Sequence, residues 1–159
     1  LDLKVVYISG ATGTGKTRGV LEKNGYSNVY RVTDYLHPFD SYNGQPVIAF
    51  DEFRSSLRIK EMLLFCDIYP IELPSRYTNK YACYNKVYII SNWSLEKQYY
   101  EVQKDDKESW EASVYFGIGQ NKLRELTNSD SCPYVIWCGN KRLIKRKLFL
   151  EYLEKMYSI

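Results

Sequence analysis

Val5-Val6-Tyr7-Ile8-Ser9-Gly10-Ala11-Thr12-Gly13-Thr14-Gly15-Lys16-Thr17 is the stretch whose reading decides the fold. A short apolar run enters G-x-x-x-x-G-K-T, and Arg18 to Lys23 beyond it can turn as a helix. Strand, glycine loop and helix start make the context that a phosphate-binding loop requires. The glycines let backbone N–H groups point at phosphate oxygens, and the helix N-terminus adds the positive end of a dipole. On this reading Gly10, Ala11, Thr12, Gly13, Thr14, Gly15, Lys16 and Thr17 cradle a nucleoside triphosphate, ATP. Lys16 reaches the β- and γ-phosphates, and the Thr17 hydroxyl ligates Mg²⁺. A glycine-rich turn with no ligand would share the glycines, but it would not need the strand in front or an acidic motif downstream.

That acidic motif ends Pro46-Val47-Ile48-Ala49-Phe50-Asp51-Glu52-Phe53. A continuous apolar run closing on two acids reads as a buried parallel strand that delivers carboxylates at its C-terminal end, where open α/β sheets bind ligands. Asp51 would hold Mg²⁺ through a water, and Glu52 would serve as general base toward the attacking water. Between the two motifs the chain reads as a short helix closing at Asn24-Gly25, a strand over 28–32, and a loop over 33–44. Downstream, 56–69 fits an amphipathic helix. Ile71 to Leu73 and Tyr81 to Tyr84 flank a hairpin whose tip is 75–80. Arg76, Tyr77 and Lys80 at that tip suit a loop that follows a single strand of nucleic acid, although a solvated turn would carry the same residues. Lys86 to Asn92 is a further buried strand. Asn92 stands where it could bond the γ-phosphate or the attacking water, or simply make a turn.

The chain has 159 residues, enough for one ordinary domain or two small ones, and 45% hydrophobic content is ordinary for a globular core. A net charge of +3 does not by itself call for nucleic acid. Cys66, Cys83, Cys132 and Cys138 form no C-x-x-C, and His37 is the sole histidine, so a zinc site is not expected and reduced, mostly buried thiols are. No apolar run of membrane-spanning length and no signal peptide stands out, so no membrane contact is expected. The sequence starts at Leu1 without a methionine, which leaves room for an upstream domain.

The G-x-x-G-x-G-K-T loop, F-D-E-F, L-L-x-F-C-D-I-Y-P-I-E-L with its basic hairpin, and I-I-S-N-W-S-L-E-K-Q-Y resemble, in order and spacing over about residues 4–100, superfamily 3 helicases. More narrowly they resemble the helicase domain of rolling-circle replication initiators of small circular DNA viruses and plasmids. The resemblance implies an AAA+-like ATPase that assembles as a homo-oligomeric ring, a hexamer, around single-stranded DNA. It puts Arg76, with Lys80 nearby, in the DNA-tracking hairpin and Asn92 at the sensor position, and sets Asp40 and Tyr42 in the loop before the acidic motif. It also implies an arginine finger in a helix after the sensor strand. At the corresponding place this chain reads Ala112-Ser113-Val114-Tyr115-Phe116-Gly117-Ile118-Gly119, with no arginine. Arg54 or Arg58 is left as a substitute.

Glu111 to Leu126 instead spaces a helix, a glycine turn and a second helix as a helix-turn-helix. Pro133 to Cys138 and Arg142 to Ile144 follow as short strands around Gly139-Asn140-Lys141. Lys147 to Met156 closes as an amphipathic helix with Leu148, Leu150, Leu153 and Tyr157 at helical spacing. E-A-S-x-Y-F-x-I-G-x-N-K-L-R-x-L and N-K-R-L-I-K-R-K resemble the winged-helix excisionases of conjugative transposons and their MerR-like relatives, over about residues 108–158. Lys141, Arg142, Lys145, Arg146 and Lys147 would neutralise duplex phosphates. Gln120, Lys122 and Arg124 could reach the major groove, unless that helix is an ordinary exposed one.

The expected architecture is therefore α/β: a P-loop, parallel-sheet ATPase core over 1–104, joined at Asp105-Asp106-Lys107 to a winged helix over 105–159. The expected function is that of an ATP-dependent, replication-initiator-type helicase of a mobile element. It would act in the cytoplasm of a plasmid's host or, if viral, in the host nucleus. The rival is a non-enzymatic, excisionase-like DNA-binding factor with a vestigial ATPase core.

Overall fold

The computed structural model describes residues 3–128, 132–138 and 140–157. The chain divides into two compact units, Leu1–Gln120 and Asn121–Ile159.

In the first unit, β1 (Lys4–Ser9), β2 (Val29–Val32), β3 (Val47–Phe50) and β6 (Lys86–Ser91) form one sheet in the order β1-β6-β3-β2, every neighbouring pair parallel. Helices α1 (Lys16–Asn24), α2 (Ile59–Phe65) and α3 (Lys104–Phe116) accompany it, and β4 (Glu72–Leu73) pairs antiparallel with β5 (Lys80–Tyr81) as a small hairpin. The central strands β3 and β6 carry unbroken apolar runs, Val47 to Phe50 and Val87 to Ile90, because both sheet faces are covered there. Side chains alternate: Ile48, Phe50, Val87 and Ile89 join one core cluster, while Val47, Ala49, Tyr88 and Ile90 join another with Val20 of α1. Since all four strands run the same way, their C-terminal ends emerge along one edge.

The larger core is aromatic, with Phe39, Phe50, Phe53, Phe65, Tyr99 and Trp110 meeting in edge-to-face and stacked contacts. Trp110 is fully buried there. That places α3 in the first unit, whereas the composition suggested a joint at 105–107. Asp105 and Asp106 instead form the acidic first turn of α3, where carboxylates favour the helix dipole. The Val5 N–H donates to the Gly117 carbonyl at 2.9 Å, so the chain leaving α3 lies along the edge strand β1.

The helix expected over 56–69 is shorter. Ser55 has φ +51° and gives its N–H to Gln98, which holds the preceding segment off a helical path. α2 begins only after Arg58, whose N–H is capped by Glu61 Oε2 at 3.0 Å.

The second unit holds most of α4 (Gln120–Thr127), then the antiparallel pair β7 (Val135–Cys138) and β8 (Lys141–Ile144), then α5 (Arg146–Tyr157). In α5 the buried stripe is Phe149 and Leu153, at i and i+4, rather than the expected Leu148, which is 47% exposed. Tyr134 stacks on Tyr152 and tilts against Phe149. Gly139 of the expected turn lies outside the described residues. No helix among the described residues is long and apolar enough to cross a membrane.

Candidate functional site

Three strand ends build the site. β1 delivers the glycine loop, β3 delivers Asp51 and Glu52, and β6 delivers Ser91 and Asn92; these segments line one cavity of about 220 Å³ together with Lys16, Thr17 and Arg31. Gly13 and Gly15 both have φ +80°, the left-handed conformation that a side chain disfavours, and nothing stands within 4 Å of where a Cβ would be. Gly15 is also the residue on which α1 begins, so the loop's backbone turns directly into a helix N-terminus. Lys16 lies folded on its own loop, with Nζ donating to the carbonyls of Gly10 at 2.9 Å and Ala11 at 2.7 Å. Asn92 Nδ2 donates to Thr12 Oγ1 at 3.0 Å, tying the end of β6 to the loop.

Asp51 is 3% exposed and fully engaged. Its Oδ1 accepts from the Thr17 hydroxyl and from the Glu52 N–H, both at 2.9 Å, and its Oδ2 accepts from Arg31 Nε at 2.6 Å. The Tyr35 hydroxyl donates to the Asp51 carbonyl at 2.6 Å. Burial, with the Asp51 and Glu52 carboxylates nearby, pushes that hydroxyl well above the usual tyrosine range, so it stays a donor. Glu52 has φ +48°, a backbone strain at a residue that lines the cavity, and its carboxylate meets no partner among the described residues.

A cation could be held here by Thr17 and Asp51. No cluster of three or more His, Cys, Asp or Glu among the described residues could hold a metal alone. Two protein oxygens suit Mg²⁺, which keeps its waters and arrives with substrate phosphate oxygens. The arrangement thus offers backbone donors and Lys16 for an anion, two oxygens for a hard cation, and a free carboxylate for a water.

Gln98 lies behind the site and is fully buried. Its Nε2 donates to Tyr7 Oη, the Phe53 carbonyl and Ser91 Oγ, each at 3.0 Å, while its Oε1 accepts from Ser55 N–H at 2.6 Å and Ser55 Oγ at 2.9 Å. This one side chain joins β1, the turn after Glu52 and the end of β6. Neither Gln98 nor Arg31 stands out in the sequence. A cation inside a four-residue strand beside the acidic strand is the one signal that could have found Arg31.

The hairpin carries its cations differently from expectation. Arg76 gives its Nε to Asp40 Oδ2 at 2.6 Å and its backbone N–H to Oδ1 at 3.1 Å, and its guanidinium lies 5.4 Å from the centre of the exposed Tyr77 ring. Lys80 is spent: Nζ donates to the carbonyls of Asp40 and Tyr42, both at 2.6 Å, anchoring β5 to the 33–46 loop instead of facing a strand. Arg54 lies over Trp93, and neither it nor Arg58 lines the cavity of Lys16.

In the second unit Arg142 is likewise committed. Its amino groups donate to the Arg124 carbonyl, Thr127 Oγ1 at 2.6 Å and Asn128 Oδ1, so it fastens β8 to the C-terminal end of α4. Lys122 pairs with Glu125 at 3.8 Å, whereas Arg124 is exposed. Two residues apart on a helix, they point about 160° from one another, so one face cannot present both to a groove. Gln120, at the head of α4, is half-buried. Lys145, Arg146 and Lys147 are exposed at the start of α5, and the side chain of Lys141 lies outside the described residues.

The RNA helicase family model matches residues 6–92, more than half of the chain. The replication-associated protein of canary circovirus is 32% identical over 96 residues, which is 60% of this chain and 32% of that protein. That of beak and feather disease virus is 31% identical over 100 residues, 63% of this chain and 33% of that protein. The chain thus spans about a third of the length of these viral relatives. The excisionase from transposon Tn916 of Streptococcus agalactiae serotype V is 42% identical over 50 residues, 31% of this chain and 75% of that protein.

Proposed function

The chain belongs to the RNA helicase family, and from that membership we propose that its first unit is the ATP-driven motor of a replication initiator working on single-stranded DNA. The observation that carries this reading is the convergence of Lys16, Thr17, Asp51, Glu52 and Asn92, from three strand ends, on one cavity. The similarity to circoviral replication-associated proteins supports DNA as the nucleic acid.

In this reading Lys16 exchanges the Gly10 and Ala11 carbonyls for the β- and γ-phosphates, and the N–H groups around Gly13 and Gly15 close on the same tail. Thr17 and Asp51 hold Mg²⁺, which when bound offsets the charge of the phosphate oxygens. Glu52, unpartnered beside them, orients and deprotonates the attacking water. Asn92 leaves Thr12 to read the γ-phosphate. A neighbouring copy in a ring supplies an arginine finger from outside residues 112–119, where none stands. Arg76 and Tyr77 hold the strand, by phosphate contact and base stacking, without Lys80.

The test is steady-state ATP hydrolysis with and without single-stranded DNA or RNA, beside Glu52→Gln. Turnover stimulated by DNA and lost in the variant is expected. Absence of any nucleotide binding would overturn the reading, and stimulation by RNA alone would move its substrate.

A second reading concerns residues 121–159. The exposed Lys145, Arg146 and Lys147, with the likeness to the Tn916 excisionase, favour a winged helix that binds duplex DNA. Its affinity should fall steeply with salt. If Lys16→Ala abolishes ATP turnover yet leaves duplex binding and biological activity intact, the chain is an accessory DNA-binding factor and not a motor.

A further inference from the structure

Arg31 is a charged residue in a strand whose other members pack into the sheet. It sits on β2 in register with Ala49 of β3, and Asp51 follows Ala49 by two residues, so all three point to the α1 side of the sheet. The small Ala49 side chain leaves the guanidinium a clear diagonal path to Asp51 Oδ2, where Nε docks at 2.6 Å. Oδ1 of the same carboxylate is already taken by Thr17 and by the Glu52 N–H. Arg31 therefore supplies the counter-charge of a buried acid.

This is not a sealed core pair. The Arg31 side chain is 49% exposed, it lines the same cavity as Lys16, and its two amino groups meet no partner among the described residues. One group is thus pinned to the carboxylate while the other donors stand at the cavity that the phosphates would enter. A divalent cation shared by Thr17 and Asp51 would lie beside the guanidinium and repel it; a polyphosphate would attract it.

We propose that Arg31 is a nucleotide-sensing cation: it neutralises Asp51 in the free site and transfers to the terminal phosphate when Mg²⁺ and ATP enter together. The proposal rests on the reading of the cavity as an ATP site. Arginine suits the task, because the planar fork can leave one carboxylate oxygen and meet phosphate oxygens with two parallel donors. The transfer would also report site occupancy along the chain, since β2 runs directly into the 33–46 loop whose Asp40 holds Arg76. It places in this chain a cation that responds to the γ-phosphate, which Arg54 and Arg58 do not.

The test is binding, not turnover. Fluorescent N-methylanthraniloyl ATP and ADP are titrated into the whole chain, for the wild type and Arg31→Gln, across a series of Mg²⁺ concentrations. The ratio of ATP to ADP affinity should fall about tenfold in Arg31→Gln, the effect of one lost charge-assisted contact. The Mg²⁺ needed for half-maximal binding should fall too, because Asp51 has lost its competing cation. An unchanged ratio with an unchanged Mg²⁺ requirement would reduce Arg31 to a structural partner of Asp51. Failure of the wild type to bind either nucleotide would instead overturn the ATP site itself.

Should Arg31→Gln not fold, the wild type carries the test through the ¹⁵Nε–H resonance of Arg31, assigned with Arg31→Lys. It should stay in place with Mg²⁺ alone and shift on addition of Mg²⁺ with a non-hydrolysable ATP analogue. A resonance that ignores the analogue refutes the transfer.

Discussion

Replacing Gln98 with leucine tests whether the buried amide holds the site's strands together. Leucine nearly keeps the volume and removes every polar atom. The cost can be followed partner by partner. The Phe53 carbonyl and Ser91 Oγ keep each other, since the Ser91 hydroxyl also donates to that carbonyl, and Tyr7 keeps its bond to the Trp93 carbonyl at 2.8 Å. The two amide hydrogens, shared among three acceptors that stay partly satisfied, are thus lost at a combined cost of about 1 kcal/mol. The Ser55 N–H is different, because Gln98 is its one acceptor among the described residues. Orphaning it beneath the turn costs about 1–3 kcal/mol.

The sum, about 2–4 kcal/mol, corresponds to a drop in melting temperature of roughly 6–12 °C for a unit of this size. Urea denaturation of Gln98→Leu against wild type, followed by tryptophan fluorescence with Trp110 buried in the adjoining core, reads it directly. A change under about 0.5 kcal/mol would refute the idea that Gln98 ties the strands. Gln98→Glu adds a check of sign. A carboxylate facing three acceptors has its folded pKa raised, so the folded state binds the extra proton, and this variant should grow more stable as pH falls towards 5.

The remaining predictions concern other contacts. Asp40 sits below its ordinary 3.8, chiefly because the Arg76 backbone N–H donates to it, with the guanidinium adding to the effect. A lowered acid contributes fully above that value and loses its contribution as pH falls through the folded pKa, so the Arg76 amide resonance should hold steady at neutral pH and move only below about pH 4. Asp40→Asn should abolish that movement. Of the four cysteines, expected to be mostly buried, only Cys66 is; burial and the nearby Asp67 push its thiol up, so a thiol reagent on the native chain should modify exposed Cys83 and Cys138 and spare Cys66 until the unit unfolds. Trp110 Nε1 is buried without a hydrogen-bond partner among the described residues, so Trp110→Phe trades an orphan donor for a small void and should cost under about 1.5 kcal/mol in denaturation, against about 3–5 for Trp110→Ala.

Local pattern made the phosphate loop and the acidic strand legible. Glycines, lysine and threonine act within eight consecutive residues, and the apolar run before Asp51 reports burial on both faces. What stayed hidden depends on partners far away in the chain. Arg31 gains its meaning from Asp51, 20 residues on, and Gln98 from Tyr7, 91 residues back. Lys80 and Arg142 read as free cations because clustered charge is the surface signal of nucleic-acid binding. Carbonyl acceptors, which every residue carries, leave no mark in a sequence. The charged stretch at 105–107 read as a linker for a related reason. A solvated first helical turn and a flexible joint have the same composition, and only Trp110 three residues further on separates them.

The seat of α3 also governs how the two units can be taken apart. A fragment ended at residue 104, where the composition invites a cut, would uncover the aromatic cleft around Phe53 and Tyr99 and strip the Gly117 carbonyl from the edge of β1. Such a piece would present a greasy hollow beside a bare strand, and its natural remedy would be to pair with its own kind. Dissection for biochemistry therefore belongs after Gln120, and precipitation of a shorter fragment would speak to where it was severed, not to whether the first unit is sound.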